Sequence, residues 1–302
     1  MLLDIEPVME KETKHGIVIK KYILGSYIPS EVTEELVCNI ASVCYKSSGK
    51  KSKKLFNMLS NENAGLPSSA FAFVNVVMTR RELDEIQLMF FNRMTSDNFS
   101  DVFTPKVLQY GYWDKSIEMW VTNYRALKYD FKSEFITELR FNSIMERRVD
   151  IDVPIYKVEN MTMYTFGHKI RHRIKPQVIS RRYVNSKKQP FNFYVSKDIA
   201  TSNSHERSVH NSAHEINLNE DLNASDICDI AVEHYNSIVD SNPKLAEIAR
   251  GIIPQCATTD FYFQWISPQD EKNFFDLRLE GSAQDEIREY AKVLKEMSCE
   301  VN

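Results

Sequence analysis

The stretch that most constrains this chain lies near its end, at residues 242–298. Asn242-Pro243 sets an N-cap residue before a proline at the first helical position, where a missing N–H leaves no bond unmade. Leu245, Ile248, Ala249 and Ile252 then recur at helical spacing, and Pro254 stops the run. FYFQWI at 261–266 is aromatic and apolar and predicts a buried strand. Ser267-Pro268-Gln269-Asp270 opens a second helix with a cap, a proline and a carboxylate three residues on. Ser282-Ala283-Gln284-Asp285 repeats that box and opens a third, with Ile287, Tyr290, Ala291 and Leu294 on one face. The stretch reads as three helices around one short strand.

Composition narrows what the chain does. A length of 302 residues suits one large domain or two small ones. A net charge of −4 gives no basic footprint for a nucleic-acid polymer, whereas a mononucleotide needs only a local arginine cluster. The five cysteines, Cys38, Cys44, Cys228, Cys256 and Cys299, are scattered without C-x-x-C spacing, so neither a disulfide framework nor a zinc ribbon is implied. The opening MLLDIEPVME does not read as a signal peptide, and no apolar run reaches membrane length. The expectation is a soluble, cytoplasmic protein.

Taken in order, GIVIKKYILGSYI within residues 1–30 reads as one or two strands of an N-terminal extension. A helix is expected over 31–46, with Val32, Leu36, Ile40 and Val43 on one stripe, and a short one over 54–60. FAFVNVVM (71–78) and VLQYGYW (107–113) read as strands, with a helix over 80–97 between them. Residues 118–131 read as a strand entering a helix through Asn123, a good N-cap. Helix is expected within 132–158, before a connection holding Pro154, and MTMYTF (161–166) reads as a strand. Residues 200–226 are polar and read as an inserted loop. His205, His210 and His214 lie there without a cysteine, and a solvated loop explains them better than a metal site. Residues 230–240 form an amphipathic helix. No internal repeat is convincing, and no G-x-G-x-x-G, P-loop, G-x-S-x-G or H-E-x-x-H occurs.

The chemistry gathers in two places. Arg171-His172-Arg173 and Ser180-Arg181-Arg182-Tyr183 set four arginines and a histidine between apolar strands. Arginines so placed fork onto phosphate through bidentate, charge-assisted bonds; the plain alternative is a basic surface turn. Arg250 and Arg278 each end a predicted helix, where an isolated arginine usually just complements the helix dipole.

Together these strings resemble the flavin-dependent thymidylate synthases (the ThyX family). The matches at the C-terminal end are Ala249, Arg250, Ile253, Pro254, Thr259, Asn273, Arg278, Ala283, Gln284, Glu286, Ile287 and Arg288. The family motif RHR-x-x-S-x-(N/Q)-E-x-S-x-R-Y is kept here as RHR, the second serine and R-Y, with one residue fewer between them. Asn123, Arg125 and Ala126 resemble an N-x-R-A element of longer phage and bacterial members, and CYKS at 44–47 resembles an early family element. The family's G-H-x-S-x-x-E-H loop, whose histidine and glutamate help hold flavin, survives only as Gly65 and Ser68; Leu66, Phe71 and Ala72 replace its polar residues.

The resemblance implies an α+β fold, a central mixed or antiparallel sheet packed by helices, in one domain over 1–302 with the extension (1–30) and the insertion (200–226). It implies a diverged enzyme converting dUMP to dTMP with FAD, methylene-tetrahydrofolate and NADPH, and without a protein nucleophile. Arg171, His172, Arg173 and Asn273 would contact flavin. Arg171, Ser180, Arg182, Arg250 and Arg278 would bind dUMP, with Arg278 the catalytic cation against the uracil. A homotetramer with shared active sites is implied, in the cytoplasm or, for a viral chain, the host cytoplasm. Two alternatives stay open: a related dUMP-modifying enzyme such as a hydroxymethylase, and a non-catalytic nucleotide-binding homologue.

Overall fold

Capped helix starts alternate with strands along the chain, and the strands collect into antiparallel sheets. The computed structural model describes residues 6–45, 53–60, 68–95, 104–180, 184, 189–195, 207–210, 215–218 and 223–299. In chain order the first elements are β1 (Met9–Glu12), β2 (Val18–Tyr22), α1 (Pro29–Tyr45), α2 (Lys53–Leu59) and a 3₁₀ turn (Ser69–Phe73). They are followed by β3 (Asn75–Met78), α3 (Arg80–Met94), α4 (Lys106–Gln109), β4 (Tyr112–Asp114), β5 (Met119–Asn123), α5 (Tyr124–Lys132) and α6 (Glu138–Met145). Next come β6 (Ile155–Thr162), α7 (Met163–Lys169), β7 (Ile174–Val178), β8 (Arg207–His210) and β9 (Glu215–Leu218). The chain closes with α8 (Ala224–Ser241), α9 (Ala246–Ala249), β10 (Thr258–Trp265), α10 (Pro268–Arg278) and α11 (Asp285–Cys299). The class is α+β, as expected. No helix among the described residues is long and apolar enough to cross a membrane.

The main sheet has the order β1-β2-β6-β10-β7, every pair antiparallel. β10, an interior strand between β6 and β7, is buried on both faces from Phe261 to Trp265, which is why that half of it is largely apolar without alternation. Phe261, Phe263 and Trp265 pack with Phe274 of α10 and with Tyr290 and Leu294 of α11. Tyr262 points the other way, into a cluster with Leu36, Val37 and Ile40 of α1. Residues 9–22 complete this sheet: Ile17 and Ile19 are fully buried in its core, so the expected extension is structural. A smaller sheet, β3-β5-β4, packs its own core with α3, α5 and α6.

Both sheets repeat one local order. β3 is followed by Thr79, whose side chain caps α3, and its antiparallel partner β5 ends at Asn123, which caps α5. β6 ends at Thr162, which caps α7, and its antiparallel partner β10 is followed by Ser267, which caps α10. The caps and strand partners recur while helix and loop lengths do not, and that hides the repeat in the sequence.

Several local expectations change. The strand expected at 107–113 begins as the helical turn α4, because the Asp130 carboxylate accepts the N–H groups of Lys106 and Val107 at 2.9 and 2.8 Å. The strand expected at 71–78 starts only at Asn75, after the 3₁₀ turn. MTMYTF is mostly helix, since the Thr162 hydroxyl accepts the Thr165 N–H and starts α7 inside the apolar run. The helix expected from Pro243 is broken into two 3₁₀ turns around α9. α11 starts at Asp285 rather than at the Ser282 box. Within the polar insertion, β8 and β9 pair as a hairpin, Arg207 opposite Leu218.

Candidate functional site

α7 runs into the turn that carries Arg171, His172 and Arg173, and β7 leaves it. The end of α10 lies against this turn. Arg278 donates from Nε to His172 Nε2 at 2.9 Å and from Nη2 to the His168 carbonyl at 3.5 Å. The His172 and Phe274 rings also pack in a T-shaped pair, centroids 4.9 Å apart, which helps to fix the imidazole. Burial, with the Arg278 and Lys169 charges, lowers the His172 pKa to about 4. The ring is therefore neutral near pH 7, and it accepts from Arg278 at Nε2 with its proton on Nδ1. Burial and the Arg171 charge press the Arg278 pKa downward. Burial, Arg171 and Arg278 lower that of His168, whose Nδ1 is buried without a hydrogen-bond partner among the described residues.

Arg171 and Arg278 thus set two cations about the neutral His172, from residues far apart in sequence. Arg171 is exposed, open to an incoming anion. Arg173 is held differently: it donates to the Gln109 carbonyl and faces Asp270 at 3.8 Å. Asn273 is exposed on α10 and accepts from Gln269 at 2.8 Å. Ser180 follows β7, its N–H bonded to the Cys44 carbonyl at 3.2 Å. Arg250 is exposed in the 3₁₀ turn after α9, in the unit packed on α8. Arg182 lies outside the described residues, as do Gly65 and Leu66. One chain brings the RHR turn and Arg278 together.

Two further residues support this turn, and the first carries no obvious signal in the sequence. Lys169 is fully buried at the end of α7, with Nζ 3.6 Å from the Trp265 ring centre, 3.9 Å from Phe274 and 4.1 Å from Phe263. No hydrogen-bond partner reaches that amine among the described residues, so aromatic faces are its main contact, and burial drives its pKa well down. Glu286, from the AQ-x-E-I-R string, accepts from the Thr162 hydroxyl at 2.9 Å and from its N–H at 3.3 Å, fastening the start of α7 to α11.

Arg171, His172 and Arg173, the expected flavin contacts, make a donor set that suits an anionic diphosphate. The other side offers less. Phe71, in the place of a polar residue of the family loop, is fully buried against the rings of Phe56 and Tyr124.

An antiparallel sheet backed by helices, with an arginine-bearing turn closed by a helix-end arginine, defines an α+β protein. Residues 151–301 match the family model of the thymidylate synthase complementing protein, and the chain belongs to that family as a diverged member. It is 29% identical over 163 residues to the flavin-dependent thymidylate synthase of Aquifex aeolicus (strain VF5), across 51% of this chain and 47% of that protein. The chain spans about half the length of this curated relative.

Proposed function

We propose that the protein converts dUMP to dTMP, using methylene-tetrahydrofolate as carbon donor and NADPH as reductant. The bound FAD would supply the hydride chemistry. The observation that carries this reading is the Arg278–His172 contact beside Arg171, which joins both halves of the family signature within one chain. Arg171 binds the nucleotide and the flavin phosphates. His172, neutral and pinned, donates from Nδ1. Arg278 keeps its charge against the uracil, where it favours electron density building on the ring. Arg173 and Asn273 lie on the flavin side, and Ser180, Arg182 and Arg250 hold the dUMP phosphate and sugar. Cys44 and Cys228 have thiols that burial pushes up to about 11 and 12, which suits a reaction without a protein thiolate.

The working form is a homotetramer. Met163, Tyr164, Ile170 and Leu277 are exposed and apolar around the arginine cluster, a rim suited to covering by another subunit. Light scattering that reports a fully active monomer would remove this part.

The buried Phe71 favours a second reading, a related enzyme with another product such as a hydroxymethylated pyrimidine. The test is the purified protein itself. Flavin absorbance, together with a product whose mass exceeds dUMP by one methylene, supports the first reading. A hydroxymethyl mass supports the second. Neither flavin uptake nor turnover would leave a non-catalytic nucleotide binder.

A further inference from the structure

The buried side chains of α8 are Cys228, Tyr235 and Val239. Tyr235 and Val239 pack with Ala246 and Ala249 of the segment that follows, so the second half of the helix has an apolar seat. In the first half the buried side chain is Cys228, 4% exposed, while its neighbours Ile227 and Ile230 are open to solvent. Its Sγ lies 3.7 Å from Sγ of Cys256, 28 residues further along the chain. Cys256 is partly exposed, in the turn that enters β10.

That turn is fixed from two sides. The Cys256 carbonyl accepts the Tyr194 N–H at 3.0 Å, and the Thr258 N–H donates to the Asn192 carbonyl at 2.8 Å. The Gln255 and Ala257 carbonyls accept the N–H groups of Tyr164 and Met163, at the start of α7, at 3.1 and 2.8 Å. These bonds hold the backbone of Cys256 beside α8. Cys44 is engaged otherwise: its thiol donates to the Val178 carbonyl at 2.7 Å and accepts from Gln177 at 2.8 Å. Among the described residues no group of three histidine, cysteine, aspartate or glutamate side chains gathers to hold a metal ion.

We propose that Cys228 and Cys256 form a thiol–disulfide exchange site, which takes a low-molecular-weight disulfide as oxidant and staples the first half of α8 to the turn before β10. The Cys256 thiolate attacks one sulfur of the oxidant, RSSR. It forms Cys256–S–S–R and releases RS⁻, which takes up the proton that Cys256 lost. Cys228 then gives up its proton and attacks the Cys256 sulfur. The Cys228–Cys256 bond forms, and the second RS⁻ leaves with that proton. Two protein thiols are oxidised while one RSSR is reduced to two RSH. Exposure sets the order, because Cys256 meets the oxidant and Cys228 is shielded. Burial and then the adjacent Cys256 sulfur push the Cys228 thiol up to about 12; capping Cys256 removes the second cause. The sulfurs have only to close from 3.7 Å to the bond length of about 2 Å.

The test incubates the full chain with glutathione disulfide at mildly alkaline pH, then quenches, alkylates and maps the cysteines by mass spectrometry. The expected product is a linked Cys228–Cys256 peptide pair, with glutathione on neither, fully reversed by dithiothreitol. Cys228→Ser should instead retain glutathione on Cys256, because the resolving thiol is gone. Cys256→Ser should leave Cys228 unmodified by glutathione. Closing the loop should raise the melting temperature of the oxidised parent by several degrees over the reduced protein, a shift that Cys256→Ser lacks. If a serine variant does not fold, the map and the melting shift of the parent decide. A parent that keeps both thiols free, or that holds glutathione on Cys256 with Cys228 still reduced, overturns the pair. A linked protein that melts no higher than the reduced one overturns the staple.

Discussion

Arg278 Nε and His172 Nε2 are 2.9 Å apart, a hydrogen bond between the end of α10 and the turn after α7. Because the imidazole accepts here, the contact costs Arg278 none of its charge. The same arginine can therefore hold the turn and face a nucleotide. Replacing it separates these roles by size. Losing a helix-end cation should cost no more than about 1 kcal/mol of stability. Losing a desolvated contact to bound dUMP should cost about 2–5 kcal/mol in affinity or rate. Arg278→Ala is expected to keep its melting temperature within a few degrees while dUMP binding falls steeply. A collapsed melting temperature with intact affinity would make the arginine structural.

His172 predicts an acid-side stability change. Its folded pKa, about 4, lies below the ordinary value of 6.5, so the unfolded chain binds more protons between those values. Stability from this group is present above pH 6.5 and is lost as pH falls through about 4. In the Arg278→Ala protein a repelling charge is gone, so the histidine should titrate higher and the window should narrow. Following the His172 ring proton by NMR in both proteins checks the sign directly.

Lys169 predicts a change on the alkaline side. Burial depresses its folded pKa, so the unfolded chain holds the extra proton and stability should rise with pH toward 10.5. Lys175 acts in the same direction from about pH 7 upward. Lys169→Met keeps the volume and removes the buried amine, so denaturation midpoints should climb less between pH 8 and about 10. Lys169→Ala should instead lose about 2–5 kcal/mol, as a large-to-small change in a packed core does. An unchanged alkaline slope in the methionine variant would mean that Lys169 titrates normally.

Local chemistry was legible and distant contacts were not. Asn123 and Ser267 cap their helices as short strings in the sequence suggest, because a cap needs only its own next few residues. Thr162 is also a cap, but it sits inside MTMYTF, where apolar neighbours resemble a strand. The FYFQWI strand was readable from its aromatics alone. Lys169 was not: HKIRHR looks like a surface turn, and the rings that enclose its amine come from β10 and α10, much later in the chain. The site was legible only through resemblance, since no spacing rule brings residue 278 to residue 172.

Glu286 tests whether the C-terminal signature shapes the site from a distance. Its carboxylate is 8% exposed and accepts from both the hydroxyl and the N–H of Thr162. Thr162 in turn accepts the Thr165 N–H at 3.1 Å, and α7 leads directly into Arg171. Removing the acceptor strands buried donors, which costs about 1–3 kcal/mol. Glu286→Ala should therefore lower stability by about that much and also loosen the seat of α7. Glu286→Gln keeps one carbonyl oxygen for Thr162 and should retain most of both. A double-mutant cycle with Thr162→Val separates the contact from the two losses: the pair should couple by about 0.5–3 kcal/mol, as groups in direct contact do. The same proteins are then titrated with dUMP. If Glu286→Ala loses stability but binds dUMP like the parent, the chain of contacts ends at the helix cap. If affinity falls with stability and returns with glutamine, the glutamate acts on the arginine turn through Thr162 and α7.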